Sequence, residues 1–409
     1  MGAWCRLVAA AAVVVGLVGC TPESPRGTSV NEVRIGLLAP LSGPNTPVGR
    51  DAKRGAELAA ALVNDDVSST SLPLGPGRGL PGLGGATLKI VDGDTADDLT
   101  RGERQAVRLA ASQGVSGVVG AGDTQVMAVA SERTERLHVP FVSGDASASY
   151  LTERGMDWFF RTGPTDRMLG ATLLSLLAQA NDGPTRRLGV VHTADEVGND
   201  IAAVFGTLAD EADTTITATA ALPPGQSDPQ DAISQVRTSR PEALIAAAAQ
   251  PADAKVLLEG FRAAGYQPAA LAGMGVGFTP QVVQATGGAG MLRVAGWSAE
   301  LAARNPTANA VMALYQRQYQ AAMSEPAADA FTAVLTLAQA IDAAHSTEPE
   351  QVRAALLGLD VRARDTIMPW SGIQFDQAGQ NTQADGVVEQ LRQHRLQVVF
   401  PHEFAAPTT

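Results

Sequence analysis

VRIGLLAPLSGPNTPVGRDAKRGAELAAALVND, residues 33–65, predicts a buried strand, a loop and a helix. The apolar run at 33–38 ends at a segment rich in Gly and Pro, which indicates a strand that ends in a loop. Apolar residues then recur at helical spacing from Asp51, which we expect to be the N-cap. Ligands of open α/β sheets bind beyond the carboxyl ends of the strands. The loop 42–49, with Ser42 at its start, is therefore either a binding loop or a plain connection.

The rest of the chain repeats this strand and helix pattern, which predicts an α/β protein with parallel sheets. A first set of four strands ends near residue 143, the segment 158–164 interrupts the rhythm, and a second alternating set follows. The last third carries helical patterns at 306–323, 329–344 and 349–357 and a hairpin of 387–391 with 397–400. Helices without strands need a sheet to cover, so we expect them to return to the first half. The stretch 68–85 is predicted to be a surface loop, either decoration or a mobile flap.

Composition excludes several function classes. The 409 residues include 45% hydrophobic and 18% charged residues, which is typical of a packed protein. The net charge is −12 and no basic stretch is present, so nucleic acid is not expected as a partner.

Known catalytic and cofactor signatures are not found in the sequence. The five histidines are scattered without metal-ligand spacing, and neither a G-x-S-x-G motif nor a Walker A motif occurs. Gly120-Ala121-Gly122 lacks the third glycine of a dinucleotide fingerprint, because Gln125 stands in its place. We therefore predict no metal, no cofactor and no enzymatic activity.

The N-terminus predicts export and a lipid anchor. Residues 7–18 form a short apolar run after a charged start, and Leu17-Val18-Gly19-Cys20 resembles a bacterial lipobox. We expect residues 1–19 to be a signal peptide, Cys20 to carry lipid, and 20–32 to link it to the fold. The alternative is an ordinary signal peptide with an incidental cysteine. Cys5 would be removed with the signal, which leaves no cysteine pair for an intrachain disulfide.

Two loops at the ends of predicted strands carry hydroxyl side chains. Thr124 and Gln125 open the helix after the third strand, where unpaired backbone N–H groups would seat a carboxylate. The loop 143–147, which contains Asp145, Ala146 and Ser147, is expected to do the same after the fourth strand. The alternative is that both hydroxyls only cap their helices.

The order of several segments resembles the branched-chain amino acid-binding proteins, which are type I periplasmic solute-binding proteins of ABC importers. The segments are IGLLAPLSGP at 35–44, RGAELAAALVN at 54–64, GVSGVVGAGDTQ at 114–125, VPFVSGDASASYLTERG at 139–155, FFRTGPTD at 159–166, LGVVHTADEVGND at 188–200, ALIAAAAQPADAKVLLEGFRAAG at 243–265 and DTIMPWSGIQFDQAGQ at 365–380. The resemblance implies two Rossmann-like lobes joined by three crossovers, near 161–164, 295–299 and 372–375. It places lobe 1 at 33–162 plus 299–372, and lobe 2 at 163–298 plus 373–409.

The resemblance also implies site residues. Thr124 matches a hydroxyl that holds the ligand carboxylate, Ser147 matches a Thr that contacts the α-amino-acid group, and Asp145 stands at a backbone-contact position. Asp166 matches an acidic residue near the ligand ammonium.

Other positions depart from the family pattern. The aromatic residues of the family's cleft fall where this chain has Val48, Val197 and Ala249, and its ammonium-binding Glu falls near Gly275. If Asp145 faces inward, it replaces the lost acid and an amino acid or amide fits. If it faces solvent, the ligand should lack an ammonium group.

The sequence therefore predicts a monomeric, lipid-anchored receptor on the outer face of the membrane. It would bind a small polar solute, either an amino acid, an amide or a related carboxylate, and deliver it to the permease of an ABC importer. A sensory or regulatory receptor of the same fold is the alternative. An extracytoplasmic enzyme is disfavoured because no nucleophile and base occur together.

Overall fold

The computed structural model describes Met1 and residues 30–65, 72–74, 78–120, 122–180 and 183–401. The predicted signal peptide, Cys20 and most of the linker lie outside these residues. Two large sheets with helices around them confirm the predicted α/β class.

The first sheet is parallel throughout, with strand order β2-β1-β3-β4-β5. Its strands are β1 (Glu32–Ala39), β2 (Thr87–Asp94), β3 (Gly117–Gly120), β4 (Phe141–Ser143) and β5 (Phe159–Arg161). The fifth strand lies in the segment that we expected to be only a crossover.

The second sheet has strand order β14-β13-β10-β9-β8-β6-β7. Its parallel strands are β6 (Arg187–Thr193), β7 (Thr215–Leu222), β8 (Ala243–Ala247), β9 (Ala270–Met274) and β10 (Leu292–Ala295). The predicted hairpin is confirmed: β13 (Val387–Arg392) and β14 (Arg395–Phe400) are antiparallel and extend this sheet beside β10. A separate small pair consists of β11 (Val361–Arg362) and β12 (Gly372–Ile373).

Twelve α-helices connect and cover the strands in the part of the chain that the structure describes. They are α1 (Thr46–Asn64), α2 (Leu99–Ser112), α3 (Thr124–Arg136), α4 (Asp166–Ala180), α5 (Glu196–Glu211), α6 (Gln230–Ser239), α7 (Pro251–Ala263), α8 (Pro280–Thr286), α9 (Ala299–Ala302), α10 (Pro306–Tyr319), α11 (Glu325–Ala344) and α12 (Pro349–Leu357). The chain passes between the two sheets after β5, after β10 and after β12.

Helix α11 is the central helix of the first sheet's core. It packs on α1 and on strands β3 and β4. A Cβ atom on Gly55 would lie 2.0 Å from the carbonyl oxygen of Ala327, so only glycine permits this approach of α1 to α11. The helix is long and apolar enough to cross a membrane, but 78% of its apolar 18-residue stretch is buried inside the protein. This packing places Asp329, in its second turn, beside Gly144 in the loop that follows β4, whereas Glu325 at its start accepts hydrogen bonds from the segment after β10.

The first helix begins earlier than the sequence pattern predicted. Our expectation that Asp51 is its N-cap is wrong, because α1 starts at Thr46 and Asn45 occupies the N-cap position. Pro47 in the first turn favours this start, since proline needs no hydrogen-bonded N–H there. Asp51 instead accepts a hydrogen bond from the Ser324 hydroxyl at 2.9 Å. The second half of the predicted loop 42–49 is therefore helical.

The described part of the predicted 68–85 loop packs on the protein surface. Leu72, Leu74 and Leu80 are buried, and the backbone N–H of Gly82 donates to Asp342 Oδ1 at 2.6 Å. Because these contacts hold the segment against the protein, including the end of α11, they favour a fixed surface loop over a mobile flap.

Candidate functional site

The loops at the carboxyl ends of the two sheets face each other. Gln125 Nε2 at the start of α3 donates to Glu196 Oε2 at the start of α5, at 2.8 Å. Farther along the same face, the backbone N–H of Ser149 donates to Asp200 Oδ2 at 3.1 Å. Each contact joins a segment that follows a first-sheet strand to one that follows a second-sheet strand, so the two sets of loops enclose one cleft.

Carboxylates of the chain occupy the backbone amides at the start of α3. Asp123 is the N-cap, and its Oδ1 accepts from the N–H groups of Gln125 at 2.8 Å and Val126 at 3.2 Å. Asp145 Oδ2 accepts from the N–H of Gly122 at 2.8 Å. The expectation of unpaired amides therefore fails for Gln125 and Val126 in the first turn, and for Gly122 just before it, because acidic side chains pair with all three. Thr124 is 7% exposed and does not act as the cap, which Asp123 provides.

The side chain of Asp145 faces the start of α3 rather than solvent. Its Oδ1 atom is buried and has no hydrogen-bond partner among the described residues. Burial raises the pKa of Asp145 to about 7, and the N–H of Gly122 offsets this only in part. The nearby carboxylates of Glu325 and Asp123 raise this pKa further.

A third carboxylate, from Asp97, stands at the same place. Its Oδ1 lies 3.9 Å from the position that a Cβ atom on Gly122 would take. Gly122 has φ +119°, in the region that favours glycine, and a Cβ atom there would lie 3.0 Å from Pro40 Cδ, so this turn depends on glycine. Burial raises the pKa of Asp97, and the charge of Asp123 raises it too.

The loop after β4 does not lead into an α-helix, as we expected, but into a short 3₁₀ turn at Ser149–Thr152. The fully buried guanidinium of Arg161 holds this loop by hydrogen bonds. It donates to the carbonyl oxygens of Ala146 at 3.1 Å and Ala148 at 2.6 Å and to the Thr152 hydroxyl at 2.8 Å. Ala146 therefore contributes its carbonyl oxygen to the hydrogen bonds that hold the loop after β4.

Asp166 lies between the loop after β4 and helix α5. Its backbone N–H donates to the carbonyl oxygen of Ser147 at 2.7 Å. Its side chain is completely buried, and neither carboxylate oxygen makes a well-formed hydrogen bond with a described residue. Burial raises the pKa of Asp166 to about 7. The Ser147 hydroxyl and the Arg161 charge lower it, and Asp200 raises it.

The remaining candidates on the second sheet have small or apolar side chains. Val197 and Ala249 belong to an apolar cluster with Ile201 and Met274. Gly275 has φ +91°, and a Cβ atom there would lie 2.8 Å from the carbonyl oxygen of Ala248. The turn after β9 therefore requires glycine, and an acidic side chain at this position would strain it.

Ser42 is held by a structural contact. Its hydroxyl donates to Asp94 Oδ2 at 2.7 Å, and its backbone N–H donates to Asp94 Oδ1 at 3.1 Å. Asp94 also pairs with Arg101 at 2.5 Å. These bonds fix the loop after β1 to the end of β2. Next to this loop, Asn45 Nδ2 approaches Gln250 Oε1 at 3.4 Å, so Ser42 stands near the cleft edge.

Several acidic residues of the cleft were not among the sequence candidates: Asp97, Asp123, Glu196, Asp200, Glu325 and Asp329. The sequence could have identified Asp123, since an Asp just before a helical run is a typical N-cap. It could not have placed Glu325 and Asp329 at the cleft, because their position depends on α11 returning to the first sheet. Among the described residues, no group of three or more His, Cys, Asp or Glu side chains is arranged to hold a metal ion.

Comparison with known proteins gives one consistent result. The family model described as "Periplasmic binding protein" matches residues 32–395. A Leu/Ile/Val-binding protein homolog 7 of Brucella suis biovar 1 (strain 1330) is 22% identical over 404 residues, which covers 96% of both chains.

Solved structures share the fold at low sequence identity. The leucine binding protein LivK of Thermotoga maritima MSB8 has a TM-score of 0.73 at 18% identity, covering 91% of this chain and 99% of that one. A solute binding protein from R. palustris in complex with benzoate has a TM-score of 0.71 at 16% identity, covering 90% and 95%.

Proposed function

The chain belongs to the periplasmic binding protein family, and from that premise we propose that it is the lipid-anchored solute receptor of an ABC importer. Its ligand would be a small polar solute that is held in the cleft between the two sheets. The observation that carries the proposal is that two carboxylates at the cleft, Asp145 in the loop after β4 and Asp166 at the start of α4, have buried oxygens without a hydrogen-bond partner among the described residues. A buried carboxylate without a partner is unfavourable unless another group compensates it, and a bound solute would do so.

Capture would occur by closure of two lobes, residues 33–162 plus 299–372 and residues 163–298 plus 373–409. The contacts of Gln125 with Glu196 and of Ser149 with Asp200 join these lobes only when the cleft is narrow. A solute that contacts both lobes favours the closed state by its differential affinity.

The names of similar proteins support an ABC importer but do not fix the solute. One similar structure is called a leucine binding protein, and another holds benzoate. Leucine carries an ammonium group that benzoate lacks, so this fold serves ligands of different chemistry.

Mass spectrometry of the solute that co-purifies tests the proposal. The full chain is purified without ligand stripping, denatured mildly and extracted, and a small polar molecule is expected at a stoichiometry near one. The extracted molecule, added back at a hundredfold excess over its Kd, should increase the free energy of unfolding of the stripped protein by about 2.7 kcal/mol. The thermal midpoint should rise accordingly. Absence of any solute, together with no stabilisation by a solute library, would contradict the proposal.

A further inference from the structure

We propose that the cleft selects a solute that carries a primary ammonium group and no free carboxylate, such as an aliphatic amine or an α-amino amide. This inference rests on the proposed function, because it names the ligand class of the same cleft. It differs from the expectation that the start of α3 receives the carboxylate of an amino acid.

The first step concerns which backbone N–H groups at the start of α3 are already hydrogen-bonded. An anionic ligand group at a helix start needs N–H groups that are not already bonded. At the start of α3, Asp123 takes the N–H groups of Gln125 and Val126, and Asp145 takes that of Gly122. These bonds do not use the Thr124 N–H, so a ligand carboxylate that needs a second amide there would have to displace one of these side chains.

The second step is the sign of the local charge. Asp97, Asp123 and Asp145 surround the Gly122 backbone, and Glu196 faces them through its bond to Gln125. Two buried cations near the cleft, Arg161 and Arg293, are already bonded to the protein. The guanidinium of Arg161 donates to the loop after β4, and that of Arg293 pairs with two glutamates. Like charges repel a ligand carboxylate here, whereas a cationic group is attracted.

An independent observation points to a donor on the ligand. Asp166 is completely buried, neither carboxylate oxygen makes a well-formed hydrogen bond with a described residue, and the Asp200 carboxylate and the Ser147 hydroxyl lie beside it. The Asp145 Oδ1 atom is likewise buried and has no partner in the described part of the chain. Acceptors at both places suit a primary ammonium with three N–H donors and an amide with two.

Four related compounds separate the alternatives: leucine, leucinamide, 3-methylbutan-1-amine and 4-methylpentanoate. They share one aliphatic group and differ in whether they carry an ammonium, a carboxylate, or both. Binding to stripped full-length protein is measured by calorimetry, with the co-purified solute analysed for amine and carboxyl groups. The amide and the amine are expected to bind at least tenfold more tightly than leucine, and 4-methylpentanoate more weakly than leucine.

Two substitutions of Asp145 test whether its carboxylate causes the preference for leucinamide over leucine. Asp145→Ala removes the charge and frees the Gly122 N–H, so the preference for leucinamide over leucine should fall at least tenfold. Asp145→Asn removes the charge but retains an acceptor for Gly122, and should show an intermediate loss. Asp342→Ala is the matched control, because Asp342 is also partly buried and accepts from a glycine N–H, at the far end of α11. It should leave the preference unchanged.

The outcomes distinguish the two claims. If the wild-type protein binds leucine or 4-methylpentanoate as tightly as leucinamide, or if its co-purified solute carries a carboxylate, the inference is wrong and the proposed function stands. An unchanged preference in both Asp145 variants also overturns the inference. If nothing co-purifies and neither the four compounds nor a solute library binds, the inference and the proposed function both fail.

Discussion

The guanidinium of Arg293 on β10 contacts the carboxylate of Glu325 at the first residue of α11. Because β10 belongs to the second sheet and α11 packs on the first, this ion pair bridges the two parts of the molecule. Glu325 Oε1 also accepts from the backbone N–H groups of Gly296 at 2.9 Å and Trp297 at 3.2 Å, in the segment by which the chain leaves the second sheet. Glu389 pairs with the other side of the guanidinium at 2.8 Å.

Loss of Glu325 is predicted to destabilise the protein. The Arg293 side chain is only 7% exposed, so Glu325→Ala leaves a buried cation with one carboxylate partner instead of two. We expect the free energy of unfolding to fall by about 2–4 kcal/mol, measured by urea denaturation. The control is Glu259→Ala, which breaks the exposed pair of Glu259 with Lys255 on α7 and should change stability by less than about 1 kcal/mol. Equal losses in the two variants would show that the bridge contributes no more than a surface ion pair.

The buried carboxyl of Asp166 predicts a pH dependence of stability. Its pKa is about 7 in the folded protein, above its ordinary value, because burial disfavours the ionised form. The folded state therefore holds this proton where the unfolded chain has released it, and the ligand-free protein loses stability as pH rises from about 4 to about 7. Asp166→Asn should be more stable than the wild type at pH 8 by about 1–4 kcal/mol.

Denaturation of both proteins at several pH values tests this prediction. The advantage of Asp166→Asn should shrink as the pH falls and nearly vanish near pH 4, where the wild-type carboxyl is protonated in the folded state and about half protonated in the unfolded chain. A constant difference between the two proteins across this range would mean that Asp166 does not titrate as its burial implies.

The proposed anchor gives a prediction for the N-terminus. Cys20→Ser removes the only thiol available for lipid attachment in the segment that resembles a lipobox, so the variant should accumulate as unprocessed precursor and lack the mass of the lipid. Stable anchoring needs more than one acyl chain, so detergent partitioning is a sensitive measure. If wild type and Cys20→Ser have the same mass shift and partition equally, the N-terminus is an ordinary signal peptide.

Local sequence patterns predicted most of the fold. The alternation of apolar runs with helical spacing identified the strands of both sheets other than β5 and β10, and the hairpin of β13 and β14 followed from its two short apolar runs. The pattern failed at helix starts such as α1, where Asn45 and Pro47 outweigh the capping potential of Asp51. Apolar spacing does not reveal the first turn of a helix when its residues are polar or conformationally special.

The sequence predicted where the candidate residues lie in the fold, but not their hydrogen-bond partners. Thr124 and Gln125 do open the helix that follows β3, and Asp145 and Ser147 do lie on the loop that follows β4. The pairing of Asp145 with the Gly122 N–H could not be predicted, because it depends on the relative position of two loops 23 residues apart in sequence. Likewise, Asp329 comes beside Gly144 only because α11 packs across the same sheet.

The most direct test of the central claim is calorimetric titration of the co-purified solute into stripped wild-type protein and into Thr124→Ala and Ser147→Ala. The matched control is Thr286→Ala, which removes an equally buried hydroxyl from the last residue of α8, away from the cleft. A cleft site predicts that each of the first two variants loses about 1–3 kcal/mol of binding free energy while the control matches the wild type. Equal affinity in all four proteins would contradict a binding site between the two sheets.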